Sequence, residues 1–325
     1  MESVGDKVIS RAQITDTFTD STVIPDRYVQ SDEARDGVVV GDDESYELPV
    51  VDMAMLVDPE FSEAEVAKLG SACRDWGFFQ LTNHGVEETI VQDMKDNTVQ
   101  FFGLPLEKKK AVAIQAGGLE GYGHHYSRSS CEKLDWAESL ILVTEHKEQR
   151  NIRFWPADPS TFRDALDKYS MEMSDLTSRL MPFMASDLGV EQETLVGTFQ
   201  GKKQSVAFHY YPPCRHPEKV IGITPHHDGL ALTLLLHVDD TPGLQILTNG
   251  TYKSVEHRVL PDVEKGRATV VMFQHACVAG MVKPLPELGE AAYRAIEKVD
   301  YIKGNFRALA EGTWFVDSLK INHGT

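Results

Sequence analysis

The chain has 325 residues, of which 42% are hydrophobic and 25% charged, and its formal net charge is −18 at pH 7. These proportions are typical of a globular protein with a large core, built as one large domain or two closely packed ones. The negative charge repels nucleic-acid phosphates and acidic membrane surfaces, so we expect neither as a partner. The four cysteines form no CxxC pair, and the chain shows neither a membrane-spanning run nor a signal peptide. We therefore expect a cytoplasmic protein.

The first 190 residues predict a polar arm followed by a mixed α/β region. Residues 1–46 are polar and acidic, which predicts a flexible arm with a few anchoring side chains. In residues 47–190, the runs LPVVDMAML and GFFQL predict strands. Ser62 and Glu65 have the spacing of a capping box, which predicts a helix that begins near Ser62.

Two more helices are predicted from apolar stripes. The first should stop near Gly103, and the second follows Asp158 and Pro159, a typical cap and first-turn pair. Pro182 should kink or end this second helix. The stripes consist of Val86, Ile90, Met94 and Phe101 in the first helix and of Phe162, Leu166, Tyr169, Met173, Leu176 and Leu180 in the second.

At Gln204 the spacing of the apolar residues changes to every second position. Short strands separated by Pro and Gly turns follow, so residues 204–283 predict a β-domain. Residues 284–325 return to a helical pattern. Its expected packing residues are Tyr293, Ile296, Tyr301 and Phe306.

Residues 224–229 read TPHHDG and contain two candidate metal ligands. His226 and Asp228 are two positions apart, so in a strand they project from the same face and can bind one ion together. His227 would point to the other face and is a poorer ligand. A third ligand must come from elsewhere, and His257 lies in a strand-like run downstream. Two imidazoles and one carboxylate suit an iron(II) ion that keeps positions open for oxygen and a chelating co-substrate.

Arg267 and Thr269 are again two positions apart on a predicted strand. A guanidinium group offers a planar fork to a carboxylate, and a neighbouring hydroxyl adds a donor, so the pair suits the far end of a dicarboxylic acid. Each signal has a simpler alternative. An HxD triplet alone occurs by chance, and an isolated arginine more often forms a structural ion pair. Their occurrence together favours the site.

From residue 48 onward the chain resembles the plant 2-oxoglutarate- and iron(II)-dependent dioxygenases of specialised metabolism, the group of flavonol synthase and anthocyanidin synthase. The resemblance depends on the HxD triplet, Arg267 and Thr269, and on these motifs: LPVVDMAML, RDWGFFQLTNHGV, FFGLPLEKK, GYG, LDWAESLIL, RFWPADPSTFRD, HYYPPC and KSVEHRV. It implies an α+β fold with a double-stranded β-helix, or jelly roll, flanked by helices.

The resemblance also implies roles for particular residues. The iron ligands would be His226, Asp228 and His257, with no catalytic residue beyond them. Arg267, Thr269 and Tyr211 would bind 2-oxoglutarate, whereas Phe273 and Tyr122 would lie near the substrate. Phe273 and Tyr211 have an alternative as ordinary core aromatics. With iron(II), oxygen, 2-oxoglutarate and ascorbate as reductant, the products would be succinate, carbon dioxide and an oxidised substrate.

The chain departs from the family pattern in three places. Thr269 replaces a usual serine and keeps the hydroxyl, whereas His209 replaces a usual asparagine with a larger ring. Between residues 247 and 249 the chain is shorter than the pattern by about two dozen residues, which is about two strands. The loss of strands there would expose sheet edges, and the sequence then does not determine whether His257 reaches the other two ligands.

Two functions follow. The first is an oxidoreductase that hydroxylates, desaturates or demethylates a small aromatic or cyclic metabolite. The second is an inactive or misassembled variant of such an enzyme that acts, if at all, as a binding protein.

Overall fold

The computed structural model describes residues 24–30, 48–115, 118–124, 133–144, 148, 150–199, 204–236, 251–276, 280–311 and 313–321. Most of the predicted arm, residues 1–46, lies outside these ranges. Its described part, residues 24–30, is anchored: Tyr28 is fully buried and packs edge-on against Trp136, with 5.3 Å between ring centroids. The backbone N–H of Leu134 donates to the carbonyl oxygen of Arg27.

Helices and strands alternate in the first half of the chain, and strands prevail in the second. The helices are α1 (Met53–Val57), α2 (Ser62–Ser71), α3 (Glu88–Phe102), α4 (Leu106–Lys110), α5 (Phe162–Leu188), α6 (Gln192–Thr198) and α7 (Lys298–Glu311). The strands are β1 (Val50–Asp52), β2 (Gln80–Thr82), β3 (Gly121–Gly123), β4 (Glu138–Val143), β5 (Gln204–Tyr211), β6 (Ile223–His226), β7 (Leu232–Leu236), β8 (His257–Val259), β9 (Arg267–Gln274), β10 (Met281–Val282) and β11 (Ile296–Glu297).

Helix α2 begins at Ser62 as predicted, but the capping box is wrong. Phe61 holds the N-cap position, and the hydroxyl of Ser62 donates to the carbonyl oxygen of Leu56. The Glu65 carboxylate accepts from the backbone N–H of Asp52, 2.6 Å away. Both side chains that the local pattern assigned to the cap therefore form hydrogen bonds elsewhere.

Helix α5 starts later and runs further than its sequence predicts. Thr161, not Asp158, holds its N-cap position, and Asp158 instead forms an ion pair with Lys108. Pro182 lies inside the helix and does not end it; α5 continues to Gly189, whose left-handed φ of 69° closes it. Residues on both sides of the proline are fully buried, namely Leu180, Met181, Met184 and Ala185. Their packing outweighs the one backbone hydrogen bond that proline cannot make.

The β-domain contains one sheet of five strands and one of two. The five-stranded sheet has the order β3-β4-β5-β9-β7, with every neighbouring pair antiparallel, and β6 pairs with β8 in the other sheet. The predicted shortening between residues 247 and 249 lies outside the described ranges. Within them, β7 stands at one edge of the five-stranded sheet.

Helix α5 covers the outer face of the five-stranded sheet. Phe162, Leu166, Tyr169, Met173 and Leu176 form one buried cluster with strand residues that include Val206, Phe208, Val270 and Met272. Residues of β5 and β9 between these core positions point to the opposite face, because side chains alternate along a strand. The face of the sheet opposite α5 is therefore available to line a pocket.

The C-terminal region is helical only in part. Residues 284–325 contribute α7 and two short 3-10 turns, Pro286–Leu288 and Phe315–Leu319, but Ile296 belongs to β11. Tyr293 and Tyr301 are buried as predicted. None of the helices in the described ranges is long and apolar enough to cross a membrane.

Candidate active site

A cavity of about 290 Å³ lies between the five-stranded sheet and the β6-β8 pair. Alternate residues of β9 line it, as the period of two requires: Arg267, Thr269, Val271 and Phe273. The three predicted metal ligands lie at its wall, together with residues of α7 and the turn that follows it.

His226, Asp228 and His257 come together as the sequence predicts. One potential ligand atom from each lies within 4.8 Å of the other two. The Oδ1 atom of Asp228 is 3.7 Å from Nε2 of His226 and 3.9 Å from Nε2 of His257. His257 reaches this position because it is the antiparallel partner of His226 in the β6-β8 pair. Asp228 lies just beyond the end of β6 rather than within it.

Both imidazole rings are oriented through their other nitrogen. Nδ1 of His226 donates to the carbonyl oxygen of Thr224 at 2.8 Å, and Nδ1 of His257 donates to that of Val255 at 3.2 Å. A carbonyl oxygen can only accept, so the proton belongs on Nδ1 and Nε2 keeps its lone pair. Histidine ligands of metals are held in this way.

Asp228 is held by Thr233, a residue that the sequence analysis missed. The Thr233 hydroxyl donates to Oδ2 of Asp228 at 2.7 Å, which leaves Oδ1 facing the two histidines. Thr233 is the single polar residue in the apolar run of β7, LTLLL. A buried hydroxyl needs a hydrogen-bond partner. The position of Thr233, five residues after the candidate ligand Asp228, could therefore have indicated their contact.

Burial, together with the nearby His257, lowers the pKa of His226 to about 4. The ring is therefore neutral near pH 7, which is the form that binds a metal. Burial also lowers the pKa of His227. His227 takes no place in the ligand cluster: its Nδ1 donates to the carbonyl oxygen of Ser254, and its ring stacks flat on Trp314 with centroids 4.1 Å apart.

The predicted residues for the co-substrate form a patch across two adjacent strands. Tyr211 is the cross-strand partner of Arg267, and His209 is the partner of Thr269. All four line the cavity. The ring of His209, which replaces the usual asparagine, is buried, with its Nδ1 2.8 Å from the hydroxyl of Ser139.

The donor set fits iron(II) and a dicarboxylate. Two imidazoles and one carboxylate converge from one side, and Arg267 lines the same cavity. The hydroxyl oxygen of Thr269 is buried and finds no hydrogen-bond partner in the described part of the chain. A buried hydroxyl without a partner is destabilising, and a ligand carboxylate could accept a hydrogen bond from it.

Of the two predicted substrate residues, the structure brings one to the cavity. Phe273 lines it, whereas Tyr122 does not and is only 1% exposed. The Tyr122 hydroxyl donates to the Glu138 carboxylate at 2.7 Å, and Lys109 forms an ion pair with the same oxygen at 2.8 Å. The structure thus does not bring Tyr122 to the cavity, because its hydroxyl helps to satisfy a buried carboxylate in the core.

Comparison with known proteins agrees with this geometry. Residues 48–158 match the model described as "non-haem dioxygenase in morphine synthesis N-terminal", and residues 202–247 match the 2OG-Fe(II) oxygenase superfamily. The chain is 35% identical to 2-oxoglutarate-dependent dioxygenase 11 of Oryza sativa subsp. japonica, across 92% of each chain. The chain belongs to the 2-oxoglutarate-dependent dioxygenase family. This dioxygenase is also 31% identical to codeine O-demethylase of Papaver somniferum, with 92% of each chain covered.

A solved structure supports the fold of this dioxygenase. JOX2 in complex with 2OG, Fe and JA superimposes with a TM-score of 0.79 at 27% identity, across 93% of this chain and 96% of that one. The predicted α+β class and jelly-roll fold are thus confirmed.

The alignment with the rice relative has a further property. The alignment is 328 positions long. It includes only 92% of the 325 residues of this dioxygenase, so it has more positions than this chain has residues to fill them. The relative therefore has residues, within the aligned region, for which this chain has no counterpart. The superfamily match also ends at residue 247, where the sequence predicts the shortening.

Proposed function

We propose that this dioxygenase binds iron(II) through His226, Asp228 and His257 and hydroxylates, desaturates or demethylates a small aromatic or cyclic metabolite. The observation that carries the proposal is the convergence of Nε2 of both histidines on Oδ1 of Asp228. This convergence supports the assignment of His257 as the third ligand.

The chain's own residues bind and orient the reactants. Nδ1 donation to Thr224 and Val255 directs both imidazoles toward the metal position, and Thr233 directs Asp228. We propose that Arg267, Thr269 and Tyr211 bind the far carboxylate of 2-oxoglutarate. Iron(II) and 2-oxoglutarate would together supply the oxidation of the substrate by oxygen, with succinate and carbon dioxide as co-products and ascorbate keeping the iron reduced.

The remaining wall of the cavity suits an apolar ring that carries an oxygen. Leu119, Ile141, Val143, Val271 and Phe273 line this wall. Trp314 lines it as well, and its buried Nε1 has no hydrogen-bond partner in the described ranges, so it can donate to a substrate oxygen. The name of codeine O-demethylase supports an oxygen-bearing cyclic substrate.

Binding can be tested without knowing the substrate. Anaerobic titration of the protein with iron(II) and then 2-oxoglutarate should produce the visible charge-transfer absorption of an iron-bound 2-oxo acid. Arg267→Gln should weaken 2-oxoglutarate binding by at least about tenfold through loss of a charged hydrogen bond, with little change in iron affinity. Arg153→Gln, at an exposed position, is the matched control. No iron binding by the unaltered chain would refute the proposal.

The inactive binding protein stays as a second candidate because the rice relative contains residues that this chain lacks. The two candidates differ in one measurement. An enzyme releases succinate from 2-oxoglutarate in the presence of iron, oxygen and a panel of methoxylated and hydroxylated aromatic compounds. A binding protein forms the same coloured complex but releases no succinate.

We also propose that the dioxygenase is a cytoplasmic monomer. Its described cysteines, Cys73 and Cys214, are free thiols and buried, which suits a reducing compartment. Analytical sedimentation would test the monomeric state, and microscopy of a tagged chain would test the cytoplasmic location.

A further inference from the structure

A second cavity, of about 300 Å³, lies on the far side of β7 from the candidate active site. Its walls are helix α5, helix α3 and strand β2, and all five residues of β7 line it. The α5 wall consists of Tyr169, Met173, Leu176 and Leu180, each at most 5% exposed. Glu88 and Lys95 from α3 give it a polar rim. We call this cavity the β7 groove.

The β7 groove follows an open sheet edge. Strand β7 pairs with β9 on one side, and no other strand in the described ranges pairs with it on the other. An edge strand presents backbone N–H and carbonyl groups that can pair with another strand. The groove therefore combines a row of backbone partners with an apolar wall, which is what an added strand requires.

We propose that the β7 groove binds an extended apolar peptide segment of another protein, which pairs with β7 as a sixth strand of the sheet. The proposal goes beyond the oxygenase function and does not depend on iron or 2-oxoglutarate. Its affinity would come from main-chain hydrogen bonds to β7 and from burial of alternate side chains against α5.

The missing residues explain why the occupant is polypeptide. Relatives contain residues that this chain lacks, and the superfamily match ends at residue 247, only a short distance after β7 ends at Leu236. A segment lost between β7 and β8 would leave a space beside one of these strands. The β7 groove is such a space.

The shape of the groove argues against a second copy of this chain as the occupant. The groove is lined by the sheet edge and by helices α3 and α5, so its occupant must fit between them. The opposite edge of the sheet, β3, has three residues and all are buried, so it cannot supply a strand to a neighbouring copy.

The test uses a fluorescent, end-blocked seven-residue peptide of alternating valine and threonine with a terminal lysine, added to the full chain. Binding is measured by fluorescence anisotropy, and its place by hydrogen exchange of the amides of residues 232–236. We expect saturable binding with slower exchange of these amides. The same peptide with alternate amide nitrogens methylated should bind at least about tenfold more weakly, because it loses its main-chain donors.

A pair of variants locates the site. Leu81→Arg places a charge in the β7 groove and should weaken peptide binding by at least about tenfold. Leu260→Arg makes the same change at an exposed leucine elsewhere and should leave binding unchanged. Thermal melts of both variants establish that they are folded.

Three results would overturn the proposal. They are no binding of the unmethylated peptide, equal binding of both peptides, and binding without protection of residues 232–236. Protection of these amides that rises with protein concentration in the absence of peptide would instead identify a second copy as the occupant. If Leu81→Arg does not fold, the comparison of the two peptides on the unaltered chain still decides the outcome.

Discussion

At the residue scale, each candidate ligand is oriented by an atom that faces away from the metal position. The histidines use Nδ1 and a carbonyl oxygen two residues earlier, whereas Asp228 uses Oδ2 and the hydroxyl of Thr233. Such bonds select the tautomer and the rotamer before any ion arrives. Their removal should therefore affect metal affinity more than folding.

Thr233→Val tests this role. The substitution keeps the shape of the side chain and removes the donor to Asp228, so we expect iron(II) affinity to fall by about 10- to 100-fold. The unfolding temperature should change by only a few degrees. Thr177→Val is the control, because it removes a hydroxyl that donates to a carbonyl oxygen within α5, away from the ligands. Calorimetric titration with iron(II) or cobalt(II) gives the affinity, and equal affinities of the two variants would contradict the role.

The buried position of His226 predicts a pH dependence of stability. Its pKa is about 4 in the folded chain, below the ordinary value of 6.5. Between these values the unfolded chain binds the proton more readily, so stability is lost as the pH falls from about 6.5 to about 4. Urea unfolding of the metal-free protein at pH 7 and pH 5 measures this loss. His226→Gln should show a smaller loss over the same interval, and an unchanged loss would assign the effect to other groups.

At the element scale, tertiary packing explains where local rules fail. Helix α5 continues through Pro182 because its apolar face is buried on both sides of the proline. The helix therefore lacks one backbone hydrogen bond at Pro182, and the burial of its neighbours compensates for the lost stability. A better helix former at this position should make the protein more stable.

Pro182→Ala should stabilise the fold by about 1–2 kcal/mol. Alanine restores a backbone N–H to the helix interior, a gain reduced by the greater freedom of the unfolded chain. Chemical unfolding monitored by circular dichroism measures the difference. Ala185→Gly, one turn later in the same helix, should be destabilising and serves as the comparison. A less stable Pro182→Ala protein would show that the proline ring itself packs.

The ion pair between Lys109 of α4 and Glu138 of β4 joins a helix to the sheet. Both side chains are 1% exposed. Lys109→Met alone leaves a buried carboxylate without its cation and should cost about 3–5 kcal/mol of stability. The double substitution Lys109→Met with Glu138→Gln should cost less than Lys109→Met alone. Equilibrium unfolding of the single and double variants completes the cycle, and a strictly additive result would show that the pair is not coupled.

At the scale of the whole molecule, β7 is shared between the two cavities. Thr233 and Leu235 line both, and Thr233 also holds Asp228. A strand added to the edge of β7 would restrict its motion and thus the position of the ligand carboxylate. The proposed peptide site and the metal site should then be coupled, and binding linkage makes the coupling reciprocal.

The predicted effect is about a fivefold or greater gain in metal affinity when the peptide is bound. Iron(II) or cobalt(II) titrations with and without saturating valine-threonine peptide measure it. The same factor should appear in peptide titrations with and without metal. Thr233→Val should reduce the coupling, because it disconnects β7 from Asp228. Equal metal affinities in both titrations would show that the two cavities are independent.

Much of this protein follows from local sequence. The period of two from Gln204 to Tyr211 predicts β5, the spacing of His226 and Asp228 predicts two neighbouring ligands, and Arg267 and Thr269 fall on one face of β9 as expected. These features depend on residues close in the chain, whose relative directions the backbone geometry determines.

The tertiary structure alone decided the rest. His257 joins the other candidate ligands because β8 pairs with β6 in a register that places it opposite His226. Glu65 and Tyr122 bond to residues 13 and 16 positions away in sequence, Ser62 donates to the carbonyl oxygen of Leu56, and Thr233 donates to Asp228 across the turn before β7. Local patterns cannot predict such contacts, because the energy that selects them comes from pairing and burial between distant segments. The candidate ligand residues could thus be predicted from the sequence, whereas their convergence depends on the pairing of β6 with β8.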